Sequence, residues 1–207
     1  MRKKLFWIVI SLLFLFIFIA FTYFVKEDFF NRIDFDITVK LQDKLPKKYD
    51  EFLSGFSLIG SFEIYAGIIL LIIFLTRKLL SILIFVPFAG AHIIEIFGKY
   101  FVHHPGPPHM FFRYNIDFLF PSSYVQPGYS YPSGHSMRTV FITLLFFNLI
   151  IKSKLNNLLK TAFIVGLLVF NLFMLSSRIT LGEHWASDVV GGAILGTSAA
   201  FFSFLFL

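Results

Sequence analysis

The sequence predicts an all-α fold, a six-transmembrane-helix bundle, on three observations. Hydrophobic residues make up 57% of the 207 and charged residues only 14%, with 31 phenylalanines and a mean hydropathy of +0.79. A chain of that composition has too little polar surface to cover itself in water without large apolar patches. Apolar runs of about twenty residues, the length that crosses a hydrocarbon core, recur along the chain. The basic residues between those runs are distributed unevenly, in the alternating way that membrane loops require.

Helices are expected at about 5–25, 59–76, 79–98, 136–151, 161–176 and 188–207. The first follows Met1-Arg2-Lys3-Lys4, which also fits a signal peptide, but the apolar run is long and no small-residue cleavage site follows. It is read as an uncleaved anchor. Between the first two helices Phe29, Phe30, Ile33, Ile37, Leu41 and Leu45 recur at nearly helical spacing. Arg32, Asp36, Lys40 and Asp43 are interleaved with them until Pro46 stops the pattern. That stretch reads either as an interfacial amphipathic helix on the outer leaflet or as a connector, and the fold expected here takes the first. Internal repeats, low-complexity tracts and linker-like stretches are missing, so 1–207 is read as a single integral-membrane domain. With no cysteine, the chain has neither disulfides nor thiolate metal ligands.

Charge orients the bundle. With a cytoplasmic N-terminus, the inner segments hold Arg2, Lys3, Lys4, Arg77, Lys78, Lys152, Lys154 and Lys160, and no Asp or Glu. The net charge of +6 is thus a topology signal rather than a sign of nucleic-acid binding. The expected setting is a multi-pass protein of the cell membrane whose active-site face is extracytoplasmic. Membrane lipids are its surroundings, and no obligate protein partner is readable.

Two stretches of that outer face join phosphate-binding residue types to a histidine. His184 and Asp188, four apart at the mouth of the sixth helix, share one face. The carboxylate can orient the imidazole and leave its other nitrogen free to attack phosphorus, or the two form a simple ion pair at the helix start. Arg178, in Ser177-Arg178, lies six residues earlier with Gly182 between, so its fork can reach oxygens of the same phosphoryl group. In Pro132-Ser133-Gly134-His135, Ser133 and Gly134 sit where the fourth helix starts, a cradle of hydroxyl and uncapped amides. His135 is placed to protonate a departing oxygen. His92, Glu95 and Lys99 share a face at the end of the third helix, where Lys99 either contacts a phosphate or snorkels to headgroups.

Together these pieces resemble the type 2 phosphatidic acid phosphatase superfamily, integral-membrane lipid phosphatases with the signatures Lys-x6-Arg-Pro, Pro-Ser-Gly-His and Ser-Arg-x5-His-x3-Asp. The second and third match in full at 132–135 and 177–188. The resemblance implies a membrane phosphatase that hydrolyses a lipid-linked phosphomonoester or pyrophosphate through a phosphohistidine. His184 would be the nucleophile, Asp188 its partner, His135 the general acid, and Lys99, Ser133, Gly134 and Arg178 the phosphate binders. No cofactor and no metal are implied. Isoprenoid pyrophosphate, phosphatidic acid and phosphatidylglycerophosphate all stay open as substrates.

The first signature departs from the pattern, because Gly106 stands where the family has arginine, before Pro107. Arg113 and the paired His103 and His104 are candidates to replace it; Arg113 is preferred, with Arg138 the competitor. Three other readings exist. A metal-dependent hydrolase would draw on His103, His104, His109, His135 and His184, although no His-Glu-x-x-His helix is present. A phospholipid transporter or scramblase would use His92, Glu95 and Glu63 within the membrane. A degenerate family member would have lost activity.

Overall fold

The computed structural model describes residues 2–77, 79–121 and 129–207. Lys78, counted above among the inner basic residues, lies outside the described residues, as does the stretch 122–128 between α5 and α6. Among the described residues every regular element is helical: α1 Arg2–Lys26, α2 Asn31–Lys44, α3 Asp50–Ser57, α4 Phe62–Thr76, α5 Phe85–Phe101, α6 Gly134–Lys152, α7 Asn157–Thr180 and α8 Ala186–Ser203. A 3₁₀ segment, Leu79–Ile84, leads into α5.

Five of these helical stretches are long and apolar enough to cross a membrane. The predicted second span is different. Its helix, α4, has only 15 residues, and Ser61 is extended (φ −66°, ψ 155°). The preceding stretch Lys47–Gly60 therefore meets α4 at a bend of 47°, and a sixth span exists only if the bent pair is taken as one. The fifth predicted helix, 161–176, is too short. In the structure α7 runs on to Thr180 because its terminal polar side chains bond back to the helix. Ser177 Oγ donates to Met174 O at 2.7 Å and Thr180 Oγ1 to Ser176 O at 3.0 Å.

The amphipathic stretch forms α2, but its polar residues do not all face outward. Asp34 is buried and accepts from Ser187 N at 2.8 Å and Ser187 Oγ at 2.6 Å. A carboxylate from α2 thus caps the positive end of α8. Gln42 Nε2 donates to Phe111 O at 2.7 Å and Thr180 O at 2.9 Å, tying the same helix to the loop after α5 and to the end of α7.

The core is built around α6, whose Met137, Phe141 and Leu145 are fully buried. It lies close against α8 because Gly192 and Gly196, one turn apart, present bare backbone. A Cβ on Gly192 would collide with Ser133 O, and one on Gly196 with Met137 O. With hydrocarbon outside, small residues that admit another backbone are how helices gain packing contact. On its other side α8 meets α1, where Ser11 Oγ donates to Ser198 O at 2.9 Å and Ser198 Oγ to Ser11 O at 2.8 Å.

Because α8 has no room to move away without uncovering α1, Gly196→Val is expected to cost about 1–3 kcal/mol through overpacking. A thermal-unfolding comparison in one detergent checks this. An unchanged midpoint would mean that the α6–α8 contact is looser than described.

Candidate active site

Four helix ends meet on one side of the bundle: the last turns of α5 and α7 and the first turns of α6 and α8. Lys99 comes from α5, Arg178 from α7, Gly134 and His135 from α6, and Asp188 from α8. A backbone hydrogen bond from Ser133 N to Asp188 O at 3.0 Å joins the two histidine-bearing stretches directly. The charges of Arg178, Arg138, His184 and Lys99 all lie in electrostatic range of His135.

His184 is placed by the turn from α7 to α8. Gly182 adopts φ +68° there, and a side chain on it would strike Phe111 O. The turn lets Arg178 O accept from both Glu183 N (3.2 Å) and His184 N (3.3 Å). It also aims His184 at Asp188, which is fully buried. Asp188 Oδ2 accepts from Trp185 N at 2.9 Å and lies 3.4 Å from His184 Nδ1. Its Oδ1 accepts from His104, whose Nδ1 is 2.9 Å away and for which the spacing of the motifs predicts no such place. His184 Nδ1 itself makes no well-aligned hydrogen bond. Burial, together with the nearby Arg178 and Lys99 charges, outweighs Asp188 and holds the His184 imidazole below the usual histidine range.

The cations are buried beside this pair. Arg178 is 3% exposed and forms an ion pair with Glu183 through Nη2, while its Nε and Nη1 have no hydrogen-bond partner. Lys99 Nζ lies 3.1 Å from Glu95 Oε1. The Glu95 carboxylate fills the space that a side chain at Gly134 would take. The Ser133 hydroxyl accepts from Ser136 Oγ at 3.1 Å and, loosely, from Ser136 N at 3.5 Å, so its own proton remains to be donated.

Arg113, preferred above as the replacement for the family arginine, is committed elsewhere, and that expectation is corrected. Its Nε and Nη2 close on Asp50 at 3.0 and 2.6 Å, and Nη1 and Nη2 donate to Gln42 O at 3.2 Å and Leu45 O at 3.0 Å. The guanidinium clamps the end of α2 and the start of α3 to the loop between α5 and α6. Arg138 is the arginine at the site. It donates from Nε to Gly60 O at 2.9 Å, while Nη2 lies 3.4 Å from His135 Nδ1 and Nη1 lies 3.7 Å from Glu95 Oε2. Gly106 borders a cleft of about 390 Å³ lined also by Asp34, His104 and Trp185.

The histidines proposed as metal ligands do not converge. His103 packs on Tyr129 and His109 on Phe112, while His104 and His184 each face a different oxygen of Asp188. Among the described residues no group of three or more His, Asp or Glu is placed to hold a metal ion.

Comparison with known proteins gives the family. The model of the PAP2 superfamily matches residues 66–207. The chain is 33% identical over 106 residues to phosphatidylglycerophosphatase B of Haemophilus influenzae, a match covering 44% of this chain and 41% of that protein. It is 28% identical over 139 residues to the undecaprenyl-diphosphatase of Sulfolobus acidocaldarius, covering 65% of this chain and 58% of that one. Both matches thus span less than two thirds of the relative's length. In fold, the chain is similar to a transmembrane PAP2-type phosphatidylglycerolphosphate phosphatase from Bacillus subtilis (TM-score 0.75, 18% identity, 95% of this chain and 94% of that one). It is also similar to LpxE of Aquifex aeolicus (TM-score 0.60, 19% identity, 83% and 94%).

The Arg113 clamp has a measurable consequence. Arg113→Ala leaves Asp50 buried without a partner and is expected to destabilise by about 3–5 kcal/mol, whereas the double variant Asp50→Leu/Arg113→Met recovers most of that loss. Unfolding midpoints of the three proteins check it. A single variant as stable as wild type would show that the pair holds nothing in place.

Proposed function

We propose that this chain, which belongs to the PAP2 superfamily, is an integral-membrane phosphatase that hydrolyses a lipid-linked phosphomonoester or pyrophosphate through a phosphohistidine. The observation that carries the reading is Arg178. A guanidinium that is 3% exposed, with two donors unpartnered, has been taken out of water without its hydrogen bonds. That arrangement costs several kcal/mol unless an anion completes it. The donors belong to the helix whose end leads into His184, an imidazole kept neutral by its surroundings.

In the first step the free His184 Nε2 lone pair attacks phosphorus, and the bond to the leaving oxygen breaks as that oxygen takes a proton from His135. Asp188 stabilises the charge that develops on the His184 ring, and Arg178, Ser133 and the α6 amides hold the phosphoryl oxygens. Water then gives a proton to His135, attacks phosphorus, and returns the electron pair to His184. Arg138, rather than Arg113, takes the place of the missing family arginine, since its fork already lies beside His135 and Glu95. Lys99 and Arg178 have glutamate counter-ions in the free site, so a bound phosphate exchanges one anion for another instead of entering a bare cluster of cations.

The relatives named for phosphatidylglycerophosphate and undecaprenyl diphosphate support a lipid phosphate as substrate. The Lys/Arg bias of the loops supports an outer-leaflet site in the cell membrane, with α2 lying at the interface and α3–α4 completing six spans.

Phosphate release from phosphatidic acid, phosphatidylglycerophosphate and an isoprenoid pyrophosphate, with and without a chelator, tests the reading. Turnover is expected on at least one and is expected to survive chelation. His184→Ala should abolish both turnover and the trapped phosphoenzyme, and Arg138→Ala should slow turnover about a hundredfold to a thousandfold. Because protonation removes the attacking lone pair and the His184 pKa is lowered, the acid limb of kcat/KM should fall below the ordinary 6.5. Turnover that persists in His184→Ala, or that disappears on chelation, would replace this mechanism with a metal-assisted one.

Topology is tested separately, since the chain has no native cysteine. Met110→Cys should react with an impermeant thiol reagent from outside intact cells, and Lys154→Cys should be protected. The reverse pattern would place the site on the cytoplasmic face.

A further inference from the structure

We propose that His104 is a positioning residue for His184, holding the Asp188 carboxylate in the place from which it supports the nucleophile. The inference rests on the reading of His184 as nucleophile.

Asp188 has three donors around it, and of its two side-chain partners His104 is the closer, at 2.9 Å against 3.4 Å for His184. His104 is 4% exposed, too deep to be a surface histidine that happens to touch an acid. It is held from both sides. Its carbonyl accepts from Ser130 N at 3.0 Å and Ser130 Oγ at 3.2 Å, and the next residue, Pro105, accepts from Trp185 Nε1 at 2.9 Å. His103, at φ +53°, lets the chain turn out of α5 just before it. The loop after α5 therefore delivers a rigid imidazole to Asp188 Oδ1. Oδ2 is left for Trp185 N and for His184. Partners that stand one shell behind a reacting group and fix its ligand commonly contribute about tenfold to a hundredfold.

The charge of His104 matters as well as its hydrogen bond. Asp188 from α8, Asp34 from α2, and Asp28 from the turn before α2 face it, with the Tyr131 ring 6.4 Å away. Burial alone would lower its pKa, but the three acids outweigh burial and leave it raised, which favours the charged ring. An imidazolium on Oδ1 draws off part of the carboxylate field that would otherwise favour protonation of His184. Removing that charge should make His184 easier to protonate, which moves its titration to higher pH.

Two variants separate the hydrogen bond from the charge. His104→Asn places an amide donor near the former Nδ1 and is uncharged, and His104→Phe keeps the ring volume with neither. Steady-state kinetics on the preferred lipid phosphate and ¹⁵N imidazole NMR titration of His184 are measured for both and for wild type. His104→Phe is expected to lose about tenfold to a hundredfold in kcat with KM unchanged, and His104→Asn to recover most of that loss. In both, the His184 titration and the acid limb of kcat/KM should move to higher pH. An unmoved His184 titration in both variants overturns the proposal, whatever happens to the rate. If the wild-type protein releases no phosphate from any lipid phosphate, the reading of function fails on its own, and the NMR arm still decides whether His104 governs His184.

Discussion

Asp188 is buried completely at the start of α8, and a carboxylate in that position stays ionised only if donors meet both of its oxygens. The donors are the backbone of Trp185 and, from the loop after α5, His104, while the turn after α7 brings His184 to within 3.4 Å. Satisfying one buried charge thus pins together the parts of the chain that the chemistry needs in register. The same requirement acts a few ångströms away. The backbone amide and hydroxyl of Ser187, one residue before Asp188, are met by Asp34, so α2 is fastened to the helix that bears the acid. Burial raises the Asp34 pKa against the opposing Ser187 donors. That cap is therefore strongest above the Asp34 pKa, where the carboxylate is charged.

The cations of the site follow the same rule with a different outcome. Lys99 is matched to Glu95, Arg138 shares Glu95 with it, and Arg178 is matched to Glu183. Without those acids a cluster of three buried cations would repel itself and keep the helix ends apart. The match is incomplete only at Arg178, where Nε and Nη1 remain without partners. The free site is therefore nearly neutral in its ion pairs yet still short of acceptors at one place, and a phosphoryl oxygen is the kind of group that fits the shortfall.

Composition and run length were enough to read the helical membrane class, and the signatures at 132–135 and 177–188 named Ser133, Gly134, His135, Arg178, His184 and Asp188, which lie at neighbouring helix ends. What the sequence hid has physical causes. The end of α7 was read four residues too early because Ser177, Arg178 and Thr180 look like loop in a hydropathy reading, although two of their hydroxyls bond back to the helix. The second span was read as one helix because the break at Ser61 involves neither proline nor charge. Arg113 looked like a free cation because sequence gives no distance to Asp50, a carboxylate 63 residues away. His104 was visible only as half of a histidine pair. Its partner is 84 residues downstream, and no local spacing announces such a contact. One legible signal was passed over: Gly192 and Gly196 form a small-residue pair in an apolar helix, which marks a face for close helix packing.

That pair bears on the chemistry as well as the packing. Gly192 lies one turn beyond Asp188, and the backbone it admits so closely is Ser133 O, at the start of α6. In the reverse direction Ser133 N donates to Asp188 O. The starts of α6 and α8 are thus locked side by side by one hydrogen bond and one absent side chain, so the distance from anion cradle to nucleophile support is set by backbone contact rather than by flexible side chains. A reacting phosphorus must sit between the two within a few tenths of an ångström to react well. Helix-to-helix contact of this kind is stiff, and Gly106 lies outside it, at the cleft bordered also by His104 and Trp185. The departure from the family pattern at 106 thus falls away from the α6–α8 contact, whereas Ser133 of one histidine-bearing signature and Asp188 of the other meet at it.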